Sequence, residues 1–129
     1  MRILITGVAG FIGSNLAEYL LRDDHEIIGI DDLSYGLMEQ IPPEVDFQKV
    51  SILKDEIYSL FNNVDIVIHL AAKNCISDCQ LDPVETAKIN VLGTVNVFEA
   101  CIKSKVNKVI YAESSAVYEG TSSFPSQEK

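Results

Sequence analysis

Glycines stand at positions 7, 10 and 13 in the run Ile3-Leu4-Ile5-Thr6-Gly7-Val8-Ala9-Gly10-Phe11-Ile12-Gly13. Residues 3–5 read as a buried strand, and an apolar helical pattern opens at Phe11. Glycines in that junction suit a diphosphate. Gly7 permits a tight turn, Gly10 lets main chain approach the phosphates, and Gly13 lets the new helix pack against the strand. Phe11 and Ile12 then open a helix whose unpaired N–H groups and positive dipole end face the anion. An ordinary strand–turn–helix also uses glycine, so the reading needs a second residue. Asp31 supplies it, at the end of a second apolar run over 25–30. A carboxylate there accepts hydrogen bonds from ribose hydroxyls and repels a 2′-phosphate, which favours NAD over NADP. A loop-capping acid is the alternative for Asp31.

These residues need a frame. Strands are expected near 2–6, 25–30, 46–50, 65–70 and 107–112, and helices near 11–22, 54–61 and 83–103. Residues 33–45, with Pro42-Pro43, read as a loop or short irregular helix. Alternating strands and helices imply a parallel sheet covered on both faces. Right-handed crossovers give a doubly wound sheet of order 3-2-1-4-5, with a cofactor across the carboxyl ends of strands 1 and 4. Asp82 is placed to cap the long helix, with Pro83 in its first turn. Along it Val84, Ala87, Val91, Val95, Phe98 and Ile102 recur at helical spacing and are expected to pack on the sheet. Ile89, Leu92 and Val97 fall on the other side.

With 129 residues, 47% of them apolar, the chain suits one domain with a real core. No apolar run reaches the roughly 18 residues that span a bilayer, and the N-terminus lacks a signal-peptide pattern. No membrane role and a cytoplasmic location are therefore expected. The formal charge of −9 argues against nucleic acid. An anionic ligand must then be held by local donors. Cys75, Cys79 and Cys101 form no Cys-x-x-Cys pair and have no histidine cluster nearby, so free thiols are expected rather than a metal site.

The glycine run, Asp31-Asp32-Leu33-Ser34, His69-Leu70-Ala71-Ala72, Asn90-Val91-Leu92-Gly93-Thr94 and Ser114-Ser115-Ala116-Val117-Tyr118 stand in this order. Together they resemble the extended short-chain dehydrogenase/reductase family, specifically its NAD-dependent nucleotide-sugar epimerases and dehydratases. The resemblance covers essentially the whole chain and implies a Rossmann-type NAD-binding domain over 1–129. It places Asp32 and Ser34 beside the adenosine end of the cofactor. Ser51 and Ile52 take the place of an acid and an aliphatic residue that contact the adenine; the serine departs from the family pattern. Leu70, Ala71 and Ala72 let the cofactor's sugars pass close to the backbone. Lys73 is a candidate cofactor contact, and Asn90 ties main chain near the active site. His69 reads as a buried structural histidine inside an apolar strand.

Ser114, four residues before Tyr118, is implied to hydrogen-bond the reacting hydroxyl. Dehydratases follow that serine with Asp-Glu; Ser115-Ala116 here favours an epimerase. Such an enzyme oxidises the sugar C4 hydroxyl by hydride transfer to NAD and returns the hydride to the other face. Its substrate is a nucleotide sugar, UDP-linked. The family base is a tyrosine in Tyr-x-x-x-Lys. Four residues after Tyr19, Tyr35, Tyr58, Tyr111 and Tyr118 stand Asp23, Glu39, Asn62, Ser115 and Ser122, so the pair is absent. The expectation is therefore the N-terminal part of a longer enzyme, truncated before the later strands and substrate domain. Residues 121–129 would belong to an active-site loop, and the isolated chain would be inactive. The 83–103 helix is implied to form a homodimer. A non-catalytic NAD-binding redox sensor, a dehydratase, a reductase and an interaction domain remain as other readings.

Overall fold

Alternation of side chains along two central strands builds both faces of the sheet. In β1 (Arg2–Thr6) Ile3 and Ile5 point one way and Leu4 the other, and in β2 (Glu26–Asp31) Ile27 and Ile28 divide likewise. The structure is a computed structural model and describes residues 1–118 and 120; the expected loop at 121–129 lies outside the described residues. Helix α1 (Phe11–Leu21) covers the Ile3 face with Leu16, Ala17 and Leu20. The Leu4 face packs Ile28, Ile30 and Val67 against Ile57 and Phe61 of a 3₁₀ helix (Asp55–Phe61) and Val97, Ala100 and Cys101 of the last helix.

With β3 (Asp46–Lys49), β4 (Ile66–His69) and β5 (Lys108–Tyr111), the five strands form a parallel sheet of order β3-β2-β1-β4-β5. This is the order that right-handed crossovers require. Among the described residues β5 is the edge strand, paired with β4 alone, and its side chains are exposed.

The helices depart more from expectation. The 54–61 segment is 3₁₀ rather than α, a short wind with a tighter turn. An unanticipated helix α2 (Ile76–Leu81) follows β4. The 83–103 segment is three pieces: α3 (Pro83–Ala87), a π-helical turn (Lys88–Gly93) and α4 (Thr94–Ser104). Asp82 does cap α3, its Oδ1 accepting from Glu85 N–H at 3.0 Å, with Pro83 in the first turn.

The expected packing face is corrected. Gly93, Val97, Ala100 and Cys101 face the core, whereas Val84, Ala87, Val91, Val95 and Ile102 are exposed; Phe98, partly exposed, keeps its expected contact with the sheet, edge-on to His69 and Tyr111. Both sides of the helix are apolar, so periodicity alone names no unique face. Gly93 is small for a reason: a Cβ there would lie 2.5 Å from Ile52 Cδ1.

Candidate functional site

The glycine turn leaves β1 at the carboxyl end of the sheet. Gly7 has φ +74°, a left-handed conformation that favours glycine, and its N–H donates to Ile30 O at 2.8 Å. A Cβ at Gly7 would lie 2.8 Å from Ala71 N. At Gly13 it would lie 2.8 Å from Val8 Cα and drive into the Gly7 carbonyl. Gly10 is less constrained, its nearest neighbour being Gly7 O at 3.3 Å. Helix α1 begins after Gly10 with no side-chain cap and no acidic residue in its first turn. Among the described residues no side chain caps its leading end, which carries positive partial charge toward the turn.

Asp31 does two jobs. Its Oδ2 accepts from Ala9 N–H at 3.0 Å, which braces the glycine turn, and its Oδ1 accepts from Leu33 N–H at 2.8 Å, which caps its own loop. Each carboxylate oxygen can accept a further bond, so loop capping does not exclude a ribose. Asp32 accepts from the Ser34 N–H at 2.9 Å and from the Ser34 hydroxyl. The loop then lies on the turn, with Leu37 N–H donating to Ala9 O at 3.2 Å. Tyr35 crosses to α2, its hydroxyl donating to Asp78 Oδ2 at 2.9 Å; that hydrogen bond holds the phenol above its ordinary range.

The other expected positions surround the same end. The half-buried Ser51 turns its Oγ back to Leu53 N–H at 3.3 Å, and Ile52 is only 5% exposed, within the core. Leu70, Ala71 and Ala72 run out of β4, where Leu70 N–H and Ala71 N–H both donate to Thr6 Oγ1 at 3.2 Å. Asn90 grips the next residue by its main chain: its Oδ1 accepts from Lys73 N–H and its Nδ2 donates to Lys73 O, each at 2.8 Å. Its amide is thus a backbone clamp. Ser114 is exposed beyond β5, and its Oγ accepts from Ala116 N–H at 3.2 Å, opening a 3₁₀ turn (Ser115–Tyr118).

His69 is 2% exposed at the end of β4, stacked on Tyr111 and edge-on to Phe98. Burial pushes its pKa down from 6.5 to about 4, so the ring is neutral near pH 7. Its two nitrogens meet Thr6 Oγ1 at 2.6 Å and Thr94 Oγ1 at 3.0 Å. These threonine contacts escaped the sequence reading, although Thr6 and Thr94 border two of its motifs. Two open depressions lie elsewhere. One, at the amino ends of β1 and β2, is lined by Arg2, Asp24, His25 and Asp65. The other is an apolar patch of Pro83, Val84, Ala87, Val91 and Leu92. Among the described residues no helix is long and apolar enough to cross a membrane.

A parallel 3-2-1-4-5 sheet, with a bare glycine turn after β1 and an acid ending β2, defines the Rossmann class of dinucleotide-binding folds. Residues 3–129 match the NAD dependent epimerase/dehydratase family, and the chain belongs to that family. It is 36% identical over 136 residues to a UDP-glucose 4-epimerase of Mycolicibacterium smegmatis, an alignment covering 99% of this chain and 44% of that protein. Among solved structures it resembles the Thermotoga maritima UDP-glucose 4-epimerase with UDP-glucose. There the TM-score is 0.92 and identity 33%, over 98% of this chain and 42% of that one. It also resembles the Thermus thermophilus UDP-glucose 4-epimerase complex with NAD, with TM-score 0.80 and 37% identity over 84% of this chain and 36% of that one. The chain thus spans about two fifths of the length of these relatives.

Proposed function

We propose that this chain is the cofactor-holding part of an NAD-dependent nucleotide-sugar epimerase of the UDP-glucose 4-epimerase kind. The observation that carries the reading is the glycine turn. Side chains at 7 and 13 would strike main chain, and the α1 end beside them has no side-chain cap. Bare main chain and free N–H groups suit a diphosphate in a protein whose formal charge of −9 offers little general attraction. Asp31 takes the adenosine ribose, with Asp32 and Ser34 beside it and Ser51 near the adenine. Ile52, buried as it is, shapes that end from below. Ala71, Ala72 and the Asn90-clamped Lys73 line the opposite wall.

Bound NAD supplies the hydride acceptor and donor. The protein's part is to hold and orient. Ser114 presents a hydroxyl whose oxygen accepts from Ala116 N–H, leaving its proton to donate to the reacting sugar hydroxyl. Ser115-Ala116, in place of Asp-Glu, supports epimerisation over dehydration. A UDP-sugar substrate is proposed from relatives such as the T. maritima enzyme, solved with UDP-glucose. No tyrosine here has a lysine four residues on, so these 129 residues alone bind cofactor without turning over substrate. The exposed stripe of Val84, Val91, Val95 and Ile102 supports a homodimer through this helix.

Calorimetric titration with NAD and NADP tests the reading. NAD is expected to bind more tightly than NADP, and Asp31→Ala to weaken NAD roughly tenfold, the scale of one lost charge-assisted hydrogen bond. Equal affinity for both dinucleotides, or an unchanged Asp31→Ala variant, sinks it.

A further inference from the structure

Thr6 ends β1 at the lip of the glycine turn, whereas Lys73 and Asn90 belong to the opposite wall. One chain of hydrogen bonds joins them, buried at the Thr6–His69 link and part-buried beyond it. Thr6 Oγ1 meets His69 Nδ1 at 2.6 Å, His69 Nε2 meets Thr94 Oγ1 at 3.0 Å, and Thr94 Oγ1 donates to Asn90 O at 2.8 Å. The Asn90 amide then holds both Lys73 N–H and Lys73 O.

Donor accounting fixes the direction of every link. The single hydroxyl proton of Thr94 goes to the Asn90 carbonyl, so Thr94 Oγ1 accepts from His69 and the ring proton sits on Nε2. Nδ1 is then bare and accepts the Thr6 hydroxyl proton. Thr6 Oγ1 in turn uses its lone pairs for the N–H groups of Leu70 and Ala71. The other neutral tautomer would set three N–H donors against the two lone pairs of Thr6 Oγ1 and leave Thr94 without a donor. The same Ala71 N is the atom a Gly7 Cβ would strike, so its position sets the clearance above the glycine turn.

We propose, resting on the dinucleotide reading of this groove, that His69 is a positioning residue: as the Nε2–H tautomer it locks the Thr6–Ala71 floor to the Lys73 wall and so sets the groove's width for the cofactor. The ring's contacts fit that role. Thr6 comes from β1, Thr94 and Phe98 from α4, and Tyr111 from β5.

Nitrogen-15 NMR of the full chain without nucleotide reads the ring directly. The expected pattern at pH 7 is a protonated Nε2 and a bare Nδ1. The opposite tautomer overturns the proposal, whatever the chain binds. Thr94→Val, nearly isosteric, removes the acceptor of the ring proton. The tautomer should then shift toward Nδ1–H, amide exchange at Lys73 should quicken, and NAD should bind roughly tenfold more weakly. Thr94→Ser should restore all three. A Thr94→Val protein with unchanged tautomer, exchange and NAD affinity also overturns it. Failure of the unaltered chain to bind NAD defeats the dinucleotide reading, and with it the width-setting role, while the tautomer and Lys73 exchange still report the interlock itself.

Discussion

β1 and β5 are short apolar strands of one parallel sheet, in opposite circumstances. Ile3, Leu4, Ile5 and Thr6 are at most 2% exposed, whereas Val109, Ile110 and Tyr111 are 37%, 45% and 43% exposed. β1 is paired on both edges and covered on both faces; among the described residues β5 pairs only with β4. The difference separates two tasks. Around β1, close packing fixes main-chain positions tightly, as a diphosphate cradle needs. Around β5, little packing among the described residues stiffens the segment that carries Ser114. The region proposed to hold the cofactor is therefore closely packed, while the edge that carries Ser114 is open among the described residues.

Paired truncations test that contrast most strongly. Leu4→Ala should cost about 2–5 kcal/mol, because a fully buried side chain leaves a cavity. Ile110→Ala should stay within about 0.5 kcal/mol, as for other surface changes. Urea denaturation of both variants reads the difference, and similar losses would erase the distinction drawn between the strands.

A smaller effect is expected within the turn. Gly13→Ala forces a methyl into the Gly7 carbonyl and the Val8 backbone, and should cost about 1–3 kcal/mol as an overpacked site. Gly10→Ala, with 3.3 Å to its nearest neighbour, should fold nearly as well. If Gly10→Ala nonetheless weakens NAD binding, the added methyl is obstructing ligand rather than protein. An unperturbed Gly13→Ala would show that the helix need not sit so close to the strand.

Much of this geometry was readable from sequence because it is local. Three glycines between an apolar strand and an apolar helix, and an acid closing the next strand, state the cradle without any long-range information. The strand order followed from alternation and handedness. What escaped depends on distance or on small differences in winding. The 3₁₀ helix at Asp55–Phe61 shares a near-helical period with the α-helix expected there. Helix α2 has six residues and no side-chain cap to announce it. The inward face of α4 is not legible from periodicity because both of its stripes are apolar. Asn90 and Lys73 are 17 residues apart, and His69 and Thr94 are 25 apart, so their contacts come into being only once the sheet and helices pack.

His69 gives the packed half a pH signature. Its folded pKa of about 4 lies below the ordinary 6.5, so the unfolded chain binds its proton more readily. The stabilisation is fully present above about pH 6.5 and declines as pH falls toward 4. Between about pH 7 and 5.5 the loss from this group should be about 1 kcal/mol. His69→Gln, which does not titrate, should show a correspondingly shallower decline in urea midpoint over that interval. Identical slopes would mean that the ring is not held neutral.

The exposed helix stripe offers the weakest perturbation of stability and so the cleanest test of a partner. Val95 is exposed, on the side of α4 away from Val97, Ala100 and Cys101. Val95→Asp should leave stability within about 0.5 kcal/mol, since the exposed valine belongs to neither core cluster of the described residues. In a dimer, the same aspartate would place a carboxylate in an apolar interface, where desolvation without a partner charge is costly. Sedimentation should accordingly move from dimer to monomer on substitution. A chain already monomeric before the change leaves the stripe without a second copy to cover it. A variant that unfolds instead would mean the stripe supports its own domain, and the contrast between a closed cofactor half and an open remainder would then need redrawing along α4.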